Sequence, residues 1–331
     1  MPHRVGIVGC GLAGLVAARV LSSSGCEVVV WDKSRGPGGR LAAKRSPHGD
    51  IDFGAQYFTC SDSVFIEQVD KWVENGVVVP WEVSPAVIDV PGRIEAKESS
   101  TKRFVGSLKM TSISRELEKD IKSLVHYETL ITSVTRHENQ WKISTNEDTV
   151  GVVDTVIVNT PPKQALPFLE QNSELHKTVN SVHMNPCWAI SLTFSDPLDL
   201  SIESAFVNCG KLSWIAKNGS KANRTQVPET WVLHANPEWS NDNLERSPSD
   251  IESLLAEEFF TVLGIERKRY IHSIVHRWRY SIAKNPLSSD GYLLSQDKTL
   301  GVCGDWCNNG KVEGAYMSGY LLAQQLLRIK Q

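Results

Sequence analysis

Gly9, Gly11 and Gly14 stand in the spacing G-x-G-x-x-G, with Leu12 and Ala13 between the last two and an acid, Asp32, 18 residues beyond Gly14. The three glycines do different work. Gly9 permits a tight turn, Gly11 lets backbone N–H groups approach a pyrophosphate, and Gly14 lets a helix close onto a strand. A helix opening here offers free N–H groups and a partial positive charge. Asp32 is spaced to accept from ribose hydroxyls. This is the chemistry of dinucleotide binding, and the motif alone does not separate NAD, NADP and FAD.

A second run follows, Asp32-Lys33-Ser34-Arg35-Gly36-Pro37-Gly38-Gly39-Arg40. Gly38 and Gly39 expose N–H groups and Arg40 adds a guanidinium fork, so the run can hold the other face of a pyrophosphate. Lys33 and Arg35 also fit an NADP 2′-phosphate or plain solvated charges. Two further segments favour FAD: Asp52-Phe53-Gly54-Ala55-Gln56-Tyr57, and, late in the chain, Gly304-Asp305-Trp306 with Glu313-Gly314-Ala315. Asp305 is placed to accept from a ribityl chain. Gly314 and Ala315 would open a helix facing the N1–C2=O edge of a flavin, where the reduced ring carries its negative charge.

Taken together, these runs resemble the glutathione-reductase-type flavoproteins of the amine-oxidase superfamily, and within them the renalase-like proteins, especially those of bacteria. Asn185-Pro186-Cys187-Trp188-Ala189, Ser213-Trp214-Ile215-Ala216-Lys217-Asn218 and Trp278-Arg279-Tyr280 extend the similarity through the middle, so that it covers essentially the whole chain. The resemblance implies FAD contacts at Ala13, Gly39, Arg40, Gln56 and Tyr57 and at the backbone of Ile131, with a crossover between domains at Val158-Asn159-Thr160-Pro161-Pro162. Residues 289–292 lack the Gly-Gly-Cys element by which some relatives attach the flavin, which implies non-covalent FAD.

It further implies an oxidase that returns 2- and 6-dihydro isomers of NAD(P)H to NAD(P)+, with O2 as acceptor and H2O2 as product. That reaction requires no general base, only a flat, dry slot beside the flavin. Tyr57, Trp188, Trp214, Trp278 and Tyr280 are candidates for its walls, and His234 for a polar orienting group. Each of them also reads as an ordinary core residue. Amine oxidation or desaturation fits the same motifs, although the sequence places no lysine for the former. A non-enzymatic FAD-bearing binding module is the third reading.

The elements that must position these residues read as a βαβ start, with a strand at Arg4–Val8, a helix over 11–23 and a second strand at Glu27–Trp31. The late segment repeats the pattern, a strand over 299–303, a glycine turn and a helix over 313–328. Strands are expected over 77–83, 103–105, 189–194, 231–234 and 271–278, a helix over 249–263 capped by Ser249, and a loop over 216–228. The fold class is therefore α/β, a Rossmann-type FAD-binding domain with an inserted mixed α+β substrate domain. The FAD domain is expected at 1–76, 106–162 and 279–331, and the substrate domain at 77–105 and 163–278.

With 331 residues, 41% hydrophobic and 22% charged, the chain can build two cores. A net charge of −3 argues against a nucleic-acid partner. The seven cysteines are scattered, and only Cys303 and Cys307 lie close together, so no metal site is expected. The absence of a leader-like start or a ~20-residue apolar run fits a cytoplasmic protein.

Overall fold

The computed structural model describes residues 2–288 and 290–329; Met1, Ser289, Lys330 and Gln331 lie outside it. Its first sheet has the strand order Leu293–Leu294, Leu300–Val302, Thr155–Val158, Arg4–Val8, Glu27–Trp31, Val125–His126. All pairs are parallel except that of the first two strands. The central strands are β-branched and closed off on both faces, with Val5, Ile7, Val30 and Ile157 at 0% exposure, as a parallel sheet requires. The helix Leu12–Ser23 covers one face and the late helix Lys311–Ile329 packs against it. The fit is close at Gly319, where a Cβ would lie 2.1 Å from the Ala13 carbonyl oxygen. The opposite face is covered by a three-stranded meander, Ser133–His137, Gln140–Ser144 and Thr149–Val153. The sequence reading had not foreseen it.

The second sheet has seven strands in the order His272–Ala283, Met184–Phe194, Glu229–Ala235, Leu212–Lys217, Ser204–Val207, Ala86–Val90, Arg93–Glu95. Pairing is antiparallel throughout except between Ala86–Val90 and Ser204–Val207. Side chains alternate across it. Trp188, Ile190, Leu192 and Phe194 join a core with Leu255 and Phe259 of the helix Pro248–Leu263, whereas Ala189 and Val232 pack with Ile51 and Phe53 on the other face.

Three sequence expectations change. The helix over 249–263 begins at Pro248, so its cap is Ser247, whose hydroxyl accepts from the Asp250 N–H at 3.2 Å; proline at the first helical position leaves the capping role to the residue before it. Residues 163–182, expected in the substrate domain, contribute Ala165, Phe168, Leu169, Val179 and Val182 to the core around Val8, Trp31 and Val158 of the parallel sheet. The strand expected over 271–278 runs on to Ala283, carrying the substrate sheet past the expected boundary. Among the described residues no helix is long and apolar enough to cross a membrane.

Candidate active site

The two glycine runs lie side by side. Gly9 turns at φ 108°, and a Cβ there would sit 2.3 Å from the Asn159 carbonyl oxygen. A Cβ on Gly14 would sit 2.3 Å from the Gly9 carbonyl oxygen. Asn159, in the crossover loop, donates its amide to that same Gly9 oxygen at 3.2 Å. The Gly38 N–H donates to Cys10 O at 2.9 Å, and Gly11 and Gly38 form a parallel bridge. The result is a cradle of bare backbone: Gly39, with φ 52°, has only the Gly11 Cα within 4 Å of its missing Cβ. Beside Gly38 the Ser114 hydroxyl is buried without a hydrogen-bond partner. A pyrophosphate fits these donors and this space.

Asp32 stands at the end of the second strand as expected. Its carboxylate accepts from Cys10 N–H at 2.6 Å and Ser34 N–H at 2.7 Å, which fixes it against the loop. Leu12, Ala13 and Ile131 are buried here. Lys33 instead reaches outward, donating to Gln164 Oε1 at 3.4 Å.

Arg40 is held from two sides. Nη1 donates to the Ser281 carbonyl at 2.9 Å, and the fork grips Asp305 through Nη1–Oδ2 at 2.9 Å and Nη2–Oδ1 at 2.5 Å. The segment beneath it is tight: a Cβ on Gly54 would lie 1.9 Å from Arg40 O, which accepts from the Ala55 N–H at 3.0 Å.

Asp52, Lys221 and Arg224 form a charge cluster under this segment, with side chains at most 1% exposed. Arg224 donates to Asp52 Oδ2 at 2.8 Å, and Lys221 Nζ lies 3.4 Å from the same oxygen and 3.0 Å from Gln56 Oε1. The two cations hold the Asp52 carboxyl below its usual range despite burial, and burial pushes the Lys221 ammonium down to about 8. Gln56 completes the knot by donating to the Asp52 and Gly54 carbonyls.

The expected wall residues divide. Tyr57 and Trp214 meet, with ring centroids 5.5 Å apart. Trp81, which the sequence reading missed, joins them at 5.7 Å from Tyr57 and 6.3 Å from Trp214. The Arg103 guanidinium lies 5.4 Å over the Tyr57 ring. His234 and Trp278 instead converge on one atom, donating from Nε2 and Nε1 to the Phe53 carbonyl at 3.0 and 3.2 Å. Burial pushes the His234 imidazole down to about 4, so it stays neutral. Tyr280 is half-buried, next to the Ser281 carbonyl that anchors Arg40.

Trp188 does not face this site. Strand alternation sends it to the helix side of the sheet, where its Nε1 donates to Asn243 O at 3.0 Å and Arg277 stacks on it. Glu313 is a second correction. Its carboxylate accepts from the N–H groups of Ser61 and Asp62, both at 2.6 Å, and so ties down the entry to the helix Ser63–Glu74; only its backbone is left to serve a cofactor. Gly314 packs where expected, a Cβ there meeting Asn308 O at 1.9 Å, and the helix it belongs to begins at Lys311.

Comparison with known proteins agrees with this architecture. A family model described as flavin containing amine oxidoreductase matches residues 93–327, and one described as an NAD(P)-binding Rossmann-like domain matches residues 7–70. Renalase of Mus musculus is 24% identical over 98% of this chain and 99% of its own length. A hydroxyneurosporene desaturase of Cereibacter sphaeroides is 26% identical over 34% of this chain and 25% of its own. Among solved structures, cyclohexylamine oxidase from Brevibacterium oxydans IH-35A superposes with a TM-score of 0.78 at 10% identity, covering 100% of both chains. Putrescine oxidase does so with a TM-score of 0.75 at 12% identity, covering 99% of both. With its glycine cradle, its crossover and this match over most of its length, the chain belongs to the flavin-containing amine oxidoreductase family, as a renalase-like, FAD-dependent oxidoreductase.

Proposed function

We propose that the chain is an oxidase of the renalase type. It converts the 2- and 6-dihydro isomers of NAD(P)H, with O2 and a proton, to NAD(P)+ and H2O2. When bound, FAD supplies the hydride acceptor and the route to O2. The residues of the chain bind, orient and keep water out. The observation that carries the reading is the cluster of Tyr57, Trp81 and Trp214 with the Arg103 guanidinium stacked on it. Flat rings suit a planar dihydropyridine. A cation at the same place suits a substrate that carries phosphate and repels the ammonium of an amine.

The neighbouring groups are built for positioning rather than for proton transfer. His234 and Trp278 hold the Phe53 carbonyl, and with it the backbone leading into Gly54 and Tyr57. A neutral imidazole that spends its N–H on a carbonyl is a strut. That fits a reaction whose driving force is the nitrogen lone pair of the dihydropyridine and the recovery of aromaticity.

Amine oxidation draws support from one observation, the buried Lys221 bonded to Gln56, a lysine the sequence reading had not placed. Anaerobic stopped-flow absorbance at the flavin band separates the readings. The 2- or 6-dihydro isomers are expected to bleach it fast, and 4-dihydro NADH and primary amines slowly. Hydride transfer needs reacting atoms about 3–3.5 Å apart, and a slot that sets C2 or C6 over the acceptor holds C4 away from it. Fast bleaching by an amine moves the protein to the second reading, and fast bleaching by 4-dihydro NADH makes it an ordinary NADH oxidase.

A further inference from the structure

Arg103 is a cation without a counter-charge. Its Nε is buried with no hydrogen-bond partner, and its Nη atoms reach only Ser99 Oγ at 3.4 Å and the Thr101 carbonyl at 3.3 Å, both long contacts. No carboxylate of the described residues pairs with it, although the other arginines beside this domain boundary do pair: Arg40 with Asp305 and Arg224 with Asp52. The residue is also fixed in place. Its carbonyl accepts from the Trp81 N–H at 2.8 Å, just before the strand Phe104–Gly106 that pairs with Val78–Pro80. The guanidinium therefore stands at the edge of the aromatic cluster. On another side of that cluster Phe206, 37% exposed, packs on Trp214 at 4.9 Å. A half-buried guanidinium with donors to spare is a site for a planar or tetrahedral oxyanion, which it can take with charge-assisted bonds.

We infer that Arg103 is a specificity-determining residue that binds the 5′-phosphate of the substrate, so that the enzyme takes dihydronicotinamide nucleotides in preference to the uncharged riboside. This rests on the dihydronicotinamide reading of the site. In a nucleotide the phosphate is one ribose away from the ring, and the guanidinium lies over the Tyr57 ring, 5.4 Å from its centroid, beside Trp81 and Trp214. The ring would be held by the aromatics and the phosphate by Arg103.

The test uses the FAD-loaded protein, wild type and Arg103→Gln and Arg103→Lys. Three anaerobic reductants are compared: the 6-dihydro forms of nicotinamide riboside, nicotinamide mononucleotide and NAD. Concentration dependence of bleaching gives an apparent Kd and a limiting rate for each. The flavin difference spectrum with oxidised nicotinamide mononucleotide gives binding without turnover. Arg103→Gln is expected to weaken both nucleotides about tenfold or more and the riboside much less, so that the preference for nucleotide over riboside collapses, with Arg103→Lys recovering part of the loss. An equal loss for all three reductants makes Arg103 a structural support of Tyr57 and overturns the assignment, as does no loss for any. Equal affinity of the wild type for riboside and nucleotides also overturns it while leaving the dihydronicotinamide reading intact. No bleaching of the wild type by any of the three removes that reading and the assignment together.

Discussion

Arg40 and Asp305 lie 265 residues apart and close a two-pronged ion pair, Nη1 to Oδ2 at 2.9 Å and Nη2 to Oδ1 at 2.5 Å. The pair joins the second glycine run to the late Gly-Asp turn, and the carboxylate side is 8% exposed. The residue the sequence assigns to the pyrophosphate and the one it assigns to the ribityl chain thus meet each other, as the contacts of two adjoining parts of one cofactor would.

Arg40→Ala is therefore expected to weaken FAD binding by about tenfold or more, because a charge-assisted bond is worth about 1.5–3 kcal/mol. Flavin fluorescence titration of the apoprotein measures it. A dissociation constant within twofold of wild type would reduce Arg40 to a spectator. Asp305→Asn in the Arg40→Ala background should cost less than in the wild type, since the two side chains share one interaction.

Asp52 sits between two cations in the interior, so its loss matters more than theirs. Asp52→Asn leaves Lys221 and Arg224 facing each other unpaired, at a cost of about 3–5 kcal/mol. Lys221→Met keeps the Arg224–Asp52 pair and removes the surplus charge, and should cost clearly less. Urea midpoints of the two variants, with circular dichroism as the probe, decide the order. A reversed order would show that the cluster depends on Lys221 rather than on Asp52.

Acid should destabilise the protein through His234. Its folded pKa, about 4, lies below the unfolded value of about 6.5. Between those values the unfolded chain binds the proton and the folded chain does not, so stability falls as pH drops through that window. His276, also pushed down to about 4 by burial and by Lys44, acts in the same direction. His234→Asn can keep a donor toward Phe53 and should shallow the pH dependence of stability by about one proton, roughly 1.4 kcal/mol per pH unit. An unchanged slope would mean that His234 titrates normally in the folded state.

FAD is expected to leave with acid. Attachment through sulfur needs a thiolate, and the cysteines beside the cofactor runs are poor sources of one. Burial pushes Cys10 up to about 12 and raises Cys303 and Cys307 as well. Trichloroacetic acid should release the yellow colour to the supernatant. Colour kept in the pellet would require a covalent bond.

The cofactor half of the molecule was legible in the sequence because its glycines are demanded by local sterics. Gly9, Gly14, Gly54 and Gly314 each leave no room for a Cβ, and such positions announce themselves in any order of reading. The substrate half was less so. Trp188 and Trp214 sit on strands of similar composition, and only the sheet register sends one to the helix and the other to Tyr57. Lys221 lies in a stretch, Lys217 to Arg224, whose polar composition reads as a surface loop; nothing local reveals that it is tucked under Asp52. Glu313 reads from the sequence as a cofactor contact, and nothing local reveals that its carboxylate accepts from Ser61 and Asp62 at the start of a helix 250 residues earlier in the chain.

The contact of Gly319 with Ala13 carries a consequence for how the protein is made. The first helix and the glycine cradle leave the ribosome well before the surface that closes over them, which comes from the much later helix Lys311–Ile329. Until it arrives, Val5, Ile7 and Leu15 belong to a half-built layer with apolar surface exposed. Ordering that layer must wait for a loop closure that spans most of the chain. Synthesis thus imposes an interval in which the nucleotide-binding sequence exists and the nucleotide-binding site does not. Cofactor loading then becomes one of the last events of folding.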